Sequence, residues 1–274
     1  MTKKNILCVL FIFSLFSWNN IQDNRTKYFP VSVEPVESNP AKENVWVFLL
    51  AGQSNMAGRG FVEPQDTLPN KRIVTIDAAG RLIYAKEPLH FYEPTRNGLD
   101  CGCSFANTLL KHIPDNITIL LLPTAIGGSS ISQWLGDSSY RGVKLLTNFC
   151  DKVAIGKKCG QIKAVLWHQG ESDANKIAIP FYKDKLTQLF TVFRSTIENN
   201  QLPVFVGELG SYSNNNQNWQ LINQAIHNNS LQDANVTVIN THDFIHKGDT
   251  VHFNSEGQRL LGERFAEAYI SKIK

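Results

Sequence analysis

Four short blocks of this chain carry side chains able to do chemistry. Ser54 lies in Gly52-Gln53-Ser54-Asn55-Met56-Ala57-Gly58. A serine hydroxyl attacks only when a base takes its proton, and small flanking residues let the backbone bend and expose it. The block is not a G-x-S-x-G elbow, because Met56 stands where the second glycine would be, and Ser54 can equally serve as a helix cap. A base is available in His246-Lys247-Gly248-Asp249-Thr250-Val251-His252. Asp249 and His252 are three apart, within hydrogen-bond reach on one turn. A carboxylate there would fix the imidazole tautomer and stabilise the imidazolium. His246, Asp249 and His252 can alternatively be read as a metal set, although no further clustered ligand completes one. His242 and Asp243 form a second acid–imidazole pair, and His90, His112 and His227 carry no signal.

Two further blocks offer donors for a developing negative charge. Gly127 and Gly128 sit in Pro123-Thr124-Ala125-Ile126-Gly127-Gly128-Ser129-Ser130, where backbone N–H groups can approach an oxyanion or a phosphate. No Gly-Lys-Ser/Thr follows, so a nucleotide P-loop is disfavoured, and a plain tight turn is the other reading. In Trp167-His168-Gln169-Gly170-Glu171-Ser172-Asp173, the Gln169 amide can point an N–H at the same charge. Glu171 can orient a histidine or brace the loop, and His168 reads as structural.

These blocks follow short apolar runs. Val45–Leu50, Ile117–Leu122, Ile162–Trp167, Pro203–Val206 and Val236–Ile239 lack alternation, as expected of parallel strands buried on both faces. Between them, Leu186, Leu189, Phe190, Phe193 and Ile197 make a helical stripe. Ser104–His112 and Trp219–His227 are helix candidates, and Ser255 with Gln258 reads as a capping box opening the last helix. Alternating strands and helices predict an α/β doubly wound sheet, with ligands bound at its carboxyl edge. Gly60–Pro94, with weak strand signals at Ile73–Ile76 and Leu82–Ala85, reads as an excursion over that edge. Serine after the first strand, glycines after the second, glutamine after the third and D-x-x-H before the last helix would then meet at one edge.

Composition narrows the class. The 274 residues are 42% hydrophobic and carry 27 Lys+Arg against 24 Asp+Glu, a net charge of +3. That excludes a disordered tail and a coiled coil, and disfavours a nucleic-acid partner. Lys3 and Lys4 precede the apolar run Ile6–Trp18, the pattern of a secretory signal over residues 1–20, too short for stable membrane insertion. Its removal takes the net charge from +3 to +1. Residues 21–44 read as a Pro-punctuated linker and 45–274 as one domain. The expected location is secreted or periplasmic. Cys101, Cys103, Cys150 and Cys159 would remain, either as two disulfides, with Cys150–Cys159 closing a local loop, or as free thiols.

The block Gly52–Gly58, with Gly127-Gly128, Gln169-Gly170-Glu171 and Asp249-x-x-His252, resembles the SGNH hydrolase superfamily, over about residues 45–272. It is most similar to the branch holding sialate O-acetylesterase-like proteins and carbohydrate esterase family six, which includes acetylxylan esterases. The resemblance implies a flavodoxin-like three-layer sandwich and a serine esterase removing O-acetyl groups from sugars. Ser54 would be the nucleophile, His252 the base and Asp249 its acid. The Ser54 N–H, an N–H of the Gly127–Gly128 turn and the Gln169 side chain would form the oxyanion hole. Glu171 would be a supporting residue or the alternative acid. No metal or organic cofactor is implied. The expected partner is an acetylated oligosaccharide, polysaccharide or sialoglycan; the oligomeric state is not implied. Trp134 and Trp167 flank the site in sequence and could stack on a sugar, with core packing the other reading of Trp167. A lipid acyl hydrolase and a non-catalytic sugar-binding module are the rival readings.

Overall fold

A computed structural model describes residues 24–274, so the signal segment expected over residues 1–20 lies outside the described residues. Nine strands and six α-helices follow in chain order: β1 (Val45–Gly52), β2 (Ile73–Ile76), β3 (Leu82–Tyr84), α1 (Gly102–Leu110), β4 (Thr118–Pro123), α2 (Ile131–Leu135), β5 (Ser139–Tyr140), β6 (Val143–Lys144), α3 (Leu145–Cys159), β7 (Gln161–His168), α4 (Ile179–Ile197), β8 (Val204–Gly207), α5 (Asn216–Ser230), β9 (Val236–Ile239) and α6 (Ser255–Ile273). Seven strands form one sheet in the order β3-β2-β4-β1-β7-β8-β9, and β5 and β6 make a separate small hairpin. Every pairing in the large sheet is parallel except β2 with β3.

The five apolar runs are the five central and right-hand strands, and the side-chain period of two explains their lack of alternation. Val45, Val47, Leu49 and Ala51 of β1 face the layer of α2, α3, α4 and α5, together with Leu120, Leu122, Val165 and Trp167. Phe48 and Leu50, with Ile119, Leu121, Ala164 and Leu166, face the layer of α1 and α6. Both faces are buried, so polar residues are few until the strands end, and a buried one such as Thr75 bonds a neighbouring carbonyl, that of Leu121 at 2.9 Å. The α4 stripe of Leu186, Leu189, Phe190, Phe193 and Ile197 lies in the first of these cores.

The structure departs from the sequence expectations at several points. The weak signals at Ile73–Ile76 and Leu82–Ala85 are strands of the main sheet: Val74 pairs with Leu120, and Thr75 with Ile83. Residues read as a linker pack on this edge. Pro35 bridges to Ile83, the Val36 N–H donates to the Leu82 carbonyl, and the Tyr84 N–H donates to that of Glu34. The cap of α6 is Asn254, whose Oδ1 accepts the Gly257 N–H at 2.8 Å. Ser255 is already inside the helix, and its hydroxyl donates to the Phe61 carbonyl instead. Cys101, Cys103, Cys150 and Cys159 are all free thiols. Cys150 and Cys159 share α3, where nine residues of helical rise separate them by about 13 Å, too far for a disulfide.

Candidate active site

β1 lies between β4 and β7 at the centre of the sheet, so the loops leaving the carboxyl ends of these three strands are neighbours. This is the crevice in which open α/β sheets bind ligands. Only glycine fits at position 52. Its φ is +138°, and a Cβ there would stand 2.1 Å from the His168 carbonyl oxygen. Past it the chain makes a single turn, with the Met56 and Ala57 N–H groups donating to the Gln53 carbonyl. No helix follows, so Ser54 is not a helix cap but sits at the tip of a turn.

The distant D-x-x-H block reaches this tip. His252 Nε2 lies 3.0 Å from Ser54 Oγ, and His252 Nδ1 lies 2.7 Å from Asp249 Oδ2. Asp249 Oδ1 accepts the N–H groups of Val251 (3.0 Å) and His252 (2.8 Å). Burial pushes the Asp249 carboxyl up, but the backbone N–H and ring of His252 and the Val251 N–H outweigh it and hold it at about 2. The acid is therefore ionised wherever the imidazole is neutral. Burial also lowers His252 below the ordinary histidine range, opposed by Asp249 and Glu171 and reinforced by Lys247. A neutral base at pH 7 follows.

Glu171, the alternative acid, does not reach the imidazole in a hydrogen bond. Its Oε1 accepts from Asn55 Nδ2 at 2.7 Å. Asn55 also donates to the Val251 carbonyl, and its Oδ1 accepts the Phe253 N–H at 3.0 Å. Glu171 thus holds Asn55, and Asn55 holds the Ser54 turn against the histidine loop. His168 is fully buried, with Nε2 on the Glu208 carbonyl. His246 organises its own loop, since its Nδ1 accepts the N–H groups of Gly248 (2.9 Å) and Thr250 (3.1 Å).

The donors left unengaged at this edge are not all those expected to face an oxyanion. The Gln169 amide is completely buried and its Nε2 faces Asp173 Oδ2 at 2.6 Å, the Ser129 carbonyl at 3.1 Å and Gln53 Oε1 at 3.2 Å. Its own Oε1 accepts the Tyr182 hydroxyl. An amide so fully engaged has nothing left for an oxyanion. The Gly127 N–H is engaged as well, on Glu93 Oε2 at 2.7 Å. Three other donors make no hydrogen bond among the described residues: the N–H of Ser54, the N–H of Gly128 and the Nε2 of Gln53. Gln53 Oε1 accepts from Gln169 Nε2 and from the N–H groups of Ser172 (3.3 Å) and Gly170 (3.5 Å), which fixes the amide with its Nε2 unengaged. Gln53, next to the serine, has the unengaged amide nitrogen expected of Gln169, and Gln169 Nε2 holds the Gln53 oxygen. Spacing could not separate two glutamines that both follow a strand; only their partners do.

Trp134 does not present a face to a sugar. It and Trp167 are both buried in the core, edge-to-face at 5.4 Å, with Trp134 Nε1 donating to Ser129 Oγ. Among the described residues no group of three His, Cys, Asp or Glu side chains is arranged to hold a metal ion, and no helix is long and apolar enough to cross a membrane.

A doubly wound sheet with a Ser–His–Asp contact at its central carboxyl edge defines an α/β ester hydrolase of the SGNH type. The chain belongs to the carbohydrate esterase family described as sialic acid-specific acetylesterase, whose model matches residues 44–271. It is 31% identical over 268 residues to a protein of Arabidopsis thaliana described as a probable carbohydrate esterase, covering 88% of this chain and 98% of that one. A crystal structure of an Arabidopsis protein superposes with a TM-score of 0.74 at 29% identity, over 85% of this chain and all of the other. The structure of NanS superposes with a TM-score of 0.70 at 20% identity, over 86% and 99%. A carbohydrate acetylesterase from Xanthomonas citri gives 0.61 at 17% identity, over 84% of this chain and 57% of its own. The last two likenesses concern the fold. The protein is a carboxylic ester hydrolase of the carbohydrate esterases.

Proposed function

We propose that this enzyme removes O-acetyl groups from sugars through an acetyl-serine intermediate. The single observation that carries the reading is the unbroken contact Ser54 Oγ, His252 Nε2, His252 Nδ1, Asp249 Oδ2, at 3.0 and 2.7 Å. His252 Nε2 takes the Ser54 proton as Oγ adds to the acetyl carbonyl carbon. The carbonyl oxygen becomes an anion facing the Ser54 and Gly128 N–H groups and Gln53 Nε2. Collapse expels the sugar alkoxide, which takes the proton from His252. Water then adds to the acetyl carbon, again giving its proton to His252, and acetate leaves as Ser54 regains the proton.

Gln53→Ala is expected to lower kcat by about 10²–10³ with KM nearly unchanged, because the amide meets charge that exists only in the transition state. Gln169→Ala should fall short of it, acting through a loosened Gln53. Steady-state kinetics on a small acetyl ester checks both, and a Gln53→Ala effect confined to KM would remove Gln53 from the oxyanion hole.

The acid limb of kcat/KM should lie below about pH 6.5, the ordinary histidine value, since burial disfavours the imidazolium. Lys247→Met removes a cation that also disfavours it, so the limb should move to higher pH. Glu171→Gln removes an anion that favours it, so the limb should move the other way. Shifts in the same direction for both variants would mean that another group titrates.

Between acetylated xylan and an O-acetyl sialic acid we infer the acidic sugar, and the position of Arg141 supports that reading. This residue tops the β5–β6 hairpin at φ +50°, followed by Gly142 at +80°. A two-residue turn of that shape suits Asn, Asp or Gly, and a long cationic side chain there bears backbone strain. Arg141 Nη1 rests on Glu93 Oε1, and its side chain is 31% exposed. Its Nη2 would lie 3.5 Å from a Cβ at Gly128, and the Tyr140 hydroxyl 3.0 Å. The guanidinium therefore stands at the turn that holds the oxyanion donor, placed to receive a sugar carboxylate. Acetate release from acetylated xylan, mannan and pectin and from O-acetyl sialic acid tests this. Arg141→Gln should raise KM for the acidic sugars by about 10-fold or more, as expected for a lost charge-assisted hydrogen bond, and leave the KM for neutral ones unchanged. Equal effects on xylan would exclude the acidic reading.

A further inference from the structure

Glu93 is 34 residues from Gly127, is 7% exposed, and takes no part in the chemistry above. It accepts the Gly127 N–H at 2.7 Å and Arg59 Nη2 at 2.8 Å on one oxygen, and Arg141 Nη1 on the other. Arg59 in turn donates from Nη1 to the Gly58 carbonyl at 2.8 Å, and is itself 6% exposed. Gly58 ends the nucleophile block, and Gly127 begins the turn that carries the Gly128 N–H. A continuous chain of charge-assisted hydrogen bonds therefore joins the loop of one oxyanion donor to the loop of another.

With the ion pair where it stands, a Cβ at 127 has no room. A Cβ there would stand 2.1 Å from Arg59 Nη2 and 2.8 Å from Glu93 Oε2, so glycine is required for the ion pair to lie against the backbone. Burial raises the Glu93 carboxyl, but the Arg59 charge and hydrogen bond, the Gly127 N–H and the Arg141 charge outweigh it and keep it ionised. A buried ion pair is a weak source of stability, because desolvation offsets the attraction. The loops also have another tie: the Ile126 N–H donates to the Gly52 carbonyl at 3.1 Å. That bond, with the Ser129 N–H on the Ile126 carbonyl at 3.3 Å and Ser129 Oγ on the same carbonyl at 2.8 Å, holds the two ends of the 126–129 turn; none of them engages the Gly127 or Gly128 N–H. Between those ends the Gly127 N–H is bonded to Glu93, and the next N–H, that of Gly128 at φ +82°, follows from the plane so held.

We propose that Glu93, held by Arg59, is a positioning residue that aims the Gly128 N–H so that it converges with the Ser54 N–H on the oxyanion. The proposal rests on the acetyl-serine reading. Two guanidinium groups against one carboxylate also leave positive charge behind the turn, which favours the anion.

The test uses the full enzyme, a small neutral acetyl ester, and an alkylboronic acid. The boronic acid adds to Ser54 Oγ as a tetrahedral anion, its proton passing to His252, and so occupies the oxyanion hole. Glu93→Gln keeps the size and one acceptor but not the charge. It should lower kcat by about 10–100-fold, the range for residues that orient a reacting group, and weaken the boronate by the same factor, with KM within about 2-fold. Arg59→Lys keeps the charge but cannot bond both Gly58 and Glu93, and should show a smaller loss in the same two quantities. The double variant should lose little more than Glu93→Gln alone, since the two residues act as a unit. A merely structural role would lower the melting temperature and leave the boronate affinity of the folded enzyme unchanged. Such a result, or a loss confined to KM, overturns the proposal. Should Glu93→Gln not fold, Arg59→Lys decides by the same two quantities. If the parent hydrolyses acetyl esters yet ignores the boronate and serine-directed organophosphonates, the acetyl-serine reading fails and the proposal falls with it. If the parent responds and the variants do not differ from it, only the positioning role fails.

Discussion

Ser54→Ala should leave a folded protein whose kcat has dropped by about 10⁶-fold, the scale seen when a nucleophilic serine is removed from a triad. Among the described residues the side-chain hydroxyl bonds only to His252 Nε2, and that imidazole side chain is 22% exposed. Losing the hydroxyl leaves the ring nitrogen to water, so the cost in stability should stay below about 1 kcal/mol. The turn itself is held by the Gln53 carbonyl and by Asn55, neither of which the substitution touches. A residual rate above the uncatalysed one is expected, because the oxyanion donors remain. Organophosphonates should label the parent and spare the variant, as mass spectrometry of the intact chain would read. Turnover by Ser54→Ala within 10-fold of the parent would leave Ser54 with no role as a nucleophile.

Asp249→Asn should cost about 10⁴-fold in kcat with the fold intact. The geometry states why. Asp249 Oδ1 can remain the acceptor for the Val251 and His252 N–H groups, so an asparagine keeps the loop. Its amide nitrogen would then face His252 Nδ1, where Oδ2 now lies at 2.7 Å. A donor at that place favours the tautomer protonated on Nε2, which cannot take the Ser54 proton. The loss should therefore appear in kcat rather than in KM. Glu171→Gln should cost only about 10-fold, as a change to a supporting contact. Glutamine still offers an oxygen to Asn55 Nδ2, and Glu171 Oε2 has no hydrogen-bond partner to lose. Equal damage from the two substitutions in folded proteins would mean that the acids share the role. Damage from Glu171→Gln alone would make Asp249 the bystander.

Much of this arrangement is legible in the chain. Five largely apolar runs predict parallel strands because a strand buried on both faces has few polar positions, and β1, β4, β7, β8 and β9 follow from that. The polar blocks directly after three of those runs fall at one edge because parallel strands all end on the same side. Asp249 and His252 meet because three residues on one turn bring them together, a local relation that spacing alone decides.

The roles of the glutamines and glycines were not legible, and the edge was legible only in part: Ile73–Ile76 and Leu82–Tyr84 showed as weak strand signals, but not their place in the main sheet. Sequence spacing offered Gln169 as the oxyanion donor, yet its amide is engaged by Asp173, Ser129 and Gln53, the last of these 116 residues away. Gly127 and Gly128 look alike in a string of letters; Glu93, from a loop 34 residues earlier, takes the N–H of one and leaves that of the other. Residues 34–36 read as linker because they are polar and contain proline, but they close the open side of β3. A side chain's type and spacing state which bonds it can make, and local geometry completes those within a turn. Which donor is left unengaged for a reacting oxygen depends on which partners arrive from distant segments, and only the packed tertiary structure decides that.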